Sequence, residues 1–125
     1  MKHVSILIPQ GHTSLVNIEG THQILSEVNV LRTGMGKAPL FDIQLVGLSK
    51  QTTQRDGLFT IKPDYLLKDV VKTDLIIIPA IHGQFPRAVE DNREFLPWIV
   101  KQFNGGAEVA SLCIGSFFLA ATGLL

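Results

Sequence analysis

"DLIIIPA", residues 74–80, places four consecutive aliphatic side chains between an aspartate and a proline. A run this short, closed by turn-forming residues, reads as a strand buried on both faces, which a parallel sheet covered by helices requires. "HVSILIP" near the amino terminus has the same character over residues 4–8 and is stopped by Pro9. With 125 residues and 46% hydrophobic content, the chain suffices for one domain with a real core. Disorder is excluded.

The remaining segments alternate in type. Asn17 is a candidate cap for a helix through Leu31, with Ile18, Ile24, Leu25, Val28 and Leu31 near one face and "TGMGK" as its exit; Gly20 weakens it. "FDIQLVGLS" alternates like a strand, "TTQRDGLFTI" sets Asp56-Gly57 between two strand-like arms as a tight hairpin, and "KPDYLLKDV" gives a short capped helix. "IHGQFP" is a loop after the "LIIIP" strand. Residues 92–103 form a helix with Pro97 in or near its first turn, ended by Gly105-Gly106. "AEVASLC" is the next strand, and a final helix starts at Ile114. This order predicts an α/β, doubly wound, mainly parallel sheet with helices on both faces and a small hairpin.

Eleven basic residues balance eleven acidic ones, so no net field draws the domain toward nucleic-acid phosphates or an anionic membrane. Any contact with DNA requires another segment. The single cysteine makes no internal disulfide, and the first apolar run is too short for a signal peptide or a membrane span. The expectation is a cytoplasmic, reducing location with no membrane association.

That cysteine, Cys113, lies in "VASLCIGSFFLAATGLL" at a strand-to-helix junction, with Ser111 and Gly115 two residues to either side. Small residues at those places suit a sharp turn that aims a nucleophile out of a sheet, and free N–H groups at the start of the following helix can hold a thiolate, an oxyanion or a carboxylate. The alternative is a cysteine packed as a small hydrophobe. Catalysis also needs a base, and no histidine follows Cys113. His82, just past the "LIIIP" strand, belongs to the same carboxyl edge and is the best partner available, with Gly83 permitting close backbone approach; the alternative is a solvated loop histidine. His12 and His22 lack zinc-site spacing and "GMGK" lacks phosphate-loop spacing, so neither a metal nor a cofactor is expected.

The residues around Cys113 resemble the elbow of the PfpI-type superfamily, the class I glutamine amidotransferase-like proteins of flavodoxin-like fold, whose reactive cysteine stands where Cys113 stands. Gly115, Leu119, Ala120, Gly123, Leu124 and Leu125 are closer to one branch, the GlxA-like AraC-family regulators, which join such an N-terminal domain to a helix-turn-helix domain. "SLVNIEG", "DGLFTIKPDYLLKDV" and "DLIIIPA" extend the resemblance over most of the chain.

The resemblance implies that Asn17 occupies the place where enzymes of the superfamily carry an acid. A carboxamide hydrogen-bonds but does not exchange a proton near neutral pH. Ala80-Ile81-His82-Gly83 replaces the enzymes' glycine-rich oxyanion loop, and the histidine that often follows the elbow would fall beyond Leu125. Residues 1–125 are accordingly expected to be an amidotransferase-like N-terminal domain cut short at its carboxyl end. It would bind a small-molecule effector through Cys113, Ile114, Gly115, Asn17, His82 and Gly83, form a homodimer, and meet DNA only through a C-terminal domain absent here. The alternatives are a cysteine-dependent hydrolase or carbonyl-directed enzyme, with Cys113 as nucleophile assisted by His82, and an interaction module without a ligand.

Overall fold

The two aliphatic runs pair side by side at the centre of the molecule, as a computed structural model describing residues 1–125 shows. β1 (Lys2–Ile8) lies between β2 (Phe41–Gly47) and β6 (Leu75–Ile78), and β7 (Glu108–Ser111) continues the sheet beyond β6; all these pairs are parallel. A two-residue β5 (Tyr65–Leu66) closes the other edge, giving the order β5-β2-β1-β6-β7. Order reverses at β1, which places a crevice outside the carboxyl ends of β1 and β6.

Alternation along β1 divides the core into two layers. Val4, Ile6 and Ile8 meet Ile18 of helix α1 (Leu15–Gly34) on one face. Leu7 faces the other layer, with Ile76, Ile78, Phe95 and Ile99 of helix α3 (Phe95–Asn104), and Phe118 of helix α4 (Gly115–Ala121). Helices therefore cover both faces, as the strand pattern requires. No helix is long and apolar enough to cross a membrane.

Several local expectations are corrected. Helix α1 begins before Asn17: the Ser14 side chain accepts from the Asn17 N–H and caps the helix, which runs on to Gly34. Ile18 and Leu25 share the face on the sheet with Asn29, whose carboxamide holds the backbone of Leu40 and Phe41, whereas Ile24 and Leu31 point to solvent. "KPDYLLKDV" is the edge strand β5 and a single 3-10 turn over Leu67–Asp69. Asp64 uses its carboxylate to accept from the Leu45 N–H and its own N–H to donate to the Leu45 carbonyl, so it extends the ladder of β2 instead of capping a helix.

The hairpin of β3 (Thr52–Gln54) and β4 (Phe59–Ile61) closes through residues 55–58, wider than a two-residue turn, with positive φ at Arg55, Asp56 and Gly57. "IHGQFP" also leads into a helix, α2 (Phe85–Asp91), with Pro86 in its first turn. Asn92 follows α2 rather than opening α3. Fully buried, it donates to the carbonyls of Ala88 and Gln10 and accepts from the Gln10 N–H. Pro97 lies in the first turn of α3, where a missing N–H costs nothing.

At the opposite, amino-terminal edge, Asp74 ties β6 to β1: its carboxylate accepts from the His3 N–H at 2.8 Å, and its N–H donates to the His3 carbonyl. The His3 N–H holds the carboxyl below its ordinary value against an opposing effect of burial, and Lys2, His3 and Lys72 assist. A carboxyl whose folded pKa lies below its unfolded one contributes stability that is present above the unfolded value, ~3.9, and is lost as pH falls through the folded value. Asp74→Asn is expected to lower the urea midpoint near neutrality and to lower it progressively less below pH ~3.9. A deficit independent of pH would contradict the assignment.

Candidate functional site

Pro79 ends β6, and the buried peptide units behind it collect the groups of the carboxyl edge. The Ala80 N–H donates to Asn17 Oδ1 at 2.9 Å, and the Ala80 carbonyl accepts from Thr13 Oγ1 at 2.8 Å and from the Ser14 N–H at 3.1 Å. Thr13 and Ile81 form an isolated bridge, and the His82 N–H reaches the His12 carbonyl at 2.8 Å. The loop after β1 and the loop after β6 are thereby held as one surface.

The turn after β7 sits on the same segment. Leu112 N–H donates to the Ile78 carbonyl, and Cys113 adopts φ 53°, a left-handed conformation uncommon outside glycine. Gly115 is buried so tightly that a Cβ there would lie 2.6 Å from the Pro79 carbonyl oxygen and 2.8 Å from that of Ile78. The small residue two positions after the cysteine is thus a packing requirement. Cys113 is exposed and Ile114 beside it is partly exposed. Phe117 meets Phe85 edge-on, ring centres 5.7 Å apart, which joins the start of α4 to that of α2.

Of the expected site, Asn17, Gly115, His82 and Gly83 lie on or against residues 78–83, whereas Cys113 and Ile114 stand in the turn between Leu112 and Gly115. Asn17 reaches that segment by a hydrogen bond, Gly115 by backbone contact, and His82 and Gly83 belong to it; Gly83 adopts φ 104°, which favours glycine. Cys113 and His82 form no hydrogen bond with each other. His82 and Gly83 line a hollow of about 270 Å³ with Gln10, His12, Arg87 and Asp91, and His82 lines a second, of about 440 Å³, with His12, Thr13, Gln54 and Arg55. Cys113 lines neither hollow. A larger groove of about 800 Å³ runs between α1 and the hairpin, but its walls include Leu15, Val16, Phe59 and Ile61 and it lies apart from these groups. No three His, Cys, Asp or Glu side chains come together to hold a metal.

Sequence reasoning missed His12, Thr13, Gln54 and Arg55 as edge residues. Gln54 is buried, accepts from the Thr13 N–H at 3.2 Å and donates to the Gly11 carbonyl, so it fastens the hairpin to the first loop. Nothing local in "TTQRDG" signals a contact across 43 residues.

A profile of the DJ-1/PfpI family matches residues 16–125. The chain belongs to the DJ-1/PfpI family. Among solved structures, it is similar to a protein from Vibrio parahaemolyticus described as a transcriptional regulator (TM-score 0.82, 21% identity, covering 99% of this chain and 62% of that one). It is similar also to an AraC family transcriptional regulator from Pseudomonas putida (TM-score 0.73, 20% identity, 98% of this chain and 71% of that one). A DJ-1 superfamily protein from Salmonella typhimurium shares the fold as well (TM-score 0.70, 16% identity, 100% of this chain and 63% of that one). At these identities the likeness is one of fold. The chain spans less than two thirds of the Vibrio and Salmonella proteins. No curated protein matches the sequence.

Asn17 thus has a structural task, holding the Ala80 N–H. Asn17→Leu is expected to leave the buried Ala80 N–H without an acceptor and to cost about 1–3 kcal/mol. Asn17→Asp, which keeps the acceptor, should cost less in equilibrium urea unfolding. Equal losses in the two variants would contradict the hydrogen-bond assignment.

Proposed function

We propose that residues 1–125 are the ligand-sensing part of an AraC-type transcriptional regulator, binding a small metabolite at the carboxyl edge near Cys113, Ile114, Gly115, Asn17, His82 and Gly83. The observation that carries this reading is the use made of Asn17. At the position the family resemblance assigns to an acid stands a neutral carboxamide whose oxygen is already occupied by the Ala80 N–H. That carboxamide positions the loop after β6, and it offers no proton to a thiol. Likeness in fold to regulators from Vibrio and Pseudomonas supports the same reading.

In this proposal the edge is a preformed concave site. A metabolite bound there would favour one of two states of the full-length protein, and its differential affinity would set how far a helix-turn-helix domain outside residues 1–125 is biased toward DNA. A homodimer would suit paired half-sites, and a cytoplasmic location would follow from DNA as the target.

The exposed cysteine at φ 53° favours a second reading, a cysteine-dependent hydrolase or carbonyl-directed enzyme. Thermal unfolding against a metabolite collection, with the wild type and Cys113→Ala in parallel, separates the two. The sensor reading predicts at least one compound that stabilises the wild type by ~2.7 kcal/mol at a hundred times its dissociation constant and is recovered unchanged. Consumption of that compound by the wild type and not by Cys113→Ala would transfer the assignment to the enzyme. No stabilising compound across the collection would overturn the sensor reading.

A further inference from the structure

Two hollows share His12 and His82 at the carboxyl edge, and they differ in charge. In the smaller, Arg87 is paired with Asp91 at 3.5 Å one helical turn away. In the larger, lined by His12, Thr13, Gln54, Arg55 and His82, no carboxylate and no apolar side chain is present, and Arg55 forms no salt bridge. Arg55 lines this polar hollow with no counter-charge in it, and a guanidinium is matched by an oxyanion that accepts two parallel N–H bonds.

The hairpin fixes where the Arg55 backbone stands. Gln54, the residue before it, is buried and bonded at both ends of its carboxamide to the first loop. Arg55 itself is held at φ 56°, a conformation that glycine would adopt more readily. A strained arginine at a position open to glycine is a reason to look for a function of its side chain. His12 and His82 bring two imidazoles to the same hollow on loops joined by their own backbone bond.

We infer that this hollow receives an oxyanion group, a carboxylate or a phosphate monoester, carried by the small molecule that the edge binds, with Arg55 as its principal recognition group. The inference rests on the sensor reading above and adds the chemical class of the ligand. Polar contacts from His12, His82 and the Thr13 region would orient the anion, and the rest of the ligand would extend toward Gly83 and the second hollow.

Nitrogen-15-labelled protein titrated with sodium acetate and with sodium phosphate, at ionic strength fixed with sodium chloride, tests this. The wild type is expected to show saturable shifts at His12, Thr13, Arg55, His82 and Gly83 with one or both anions and none with chloride alone; acetate alone identifies a carboxylate site, phosphate alone a phosphate site. Arg55→Gln should weaken the affinity at least about tenfold, as loss of a charge-assisted bond implies. Arg55→Gly, which suits the backbone, should lose binding to the same extent while keeping the wild-type spectrum of the core, separating recognition from folding. The absence of saturable shifts in the wild type, or an affinity unchanged in Arg55→Gln, would overturn the inference. An uncharged metabolite that stabilises the wild type and Arg55→Gln equally would overturn it and leave the sensor reading standing, whereas failure of every metabolite and anion to bind would remove both.

Discussion

The arrangement of this edge depends on the backbone of one residue, Ala80. Ala80 follows the proline that ends β6, so its N–H and carbonyl project from the sheet with no strand to receive them. Buried without partners they would be costly. Asn17 satisfies the N–H, and Thr13 and Ser14 satisfy the carbonyl, so three residues from the start of α1 are recruited to the backbone of one residue. Ser14 is also the cap of α1, and the same residue therefore starts a helix and anchors a loop.

The rest of the edge is built outward from that residue. The elbow rests on the Ile78 and Pro79 carbonyls through Gly115, the hairpin is clamped to the first loop through Gln54, and Asn92 secures the Gln10 peptide from the far side. Apart from the Gly115 packing contact, these are polar bonds between segments distant in sequence, made by side chains that are partly or fully shielded from water. A surface tied together in this way would lower the ordering cost of the binding proposed for it. An exposed cysteine in a left-handed conformation and an arginine in the same region of backbone space stand on this frame.

How far the sequence reveals this varies with the range of the interaction. The aliphatic runs of β1 and β6 and the small residues flanking Cys113 are local signals, and the parallel sheet with its sharp turn follows from them. Two good capping residues, Ser14 and Asn17, stand three apart, and local preference does not rank them; a partner 63 residues away, the Ala80 N–H, decides. Asp64 is likewise a good helix cap by composition, yet the free edge of β2 takes its carboxylate and N–H first. Helix α2 escaped notice because none of its residues is buried, so it leaves no apolar stripe to read. Gln54, Arg55 and His12 reach the edge only after the hairpin folds over the first loop, and no pattern within "TTQRDG" or "GHTS" carries that contact.

The proposed function places the bound small molecule at the segment around Ala80 and the loops fastened to it. Amide hydrogen exchange, followed by mass spectrometry with and without a stabilising metabolite, tests it most directly. Binding there should slow exchange in peptides covering residues 10–17, 54–55, 79–84 and 112–116, with α3 and the amino-terminal edge unchanged. Protection confined to the apolar groove between α1 and the hairpin, or spread evenly over the molecule, would contradict it.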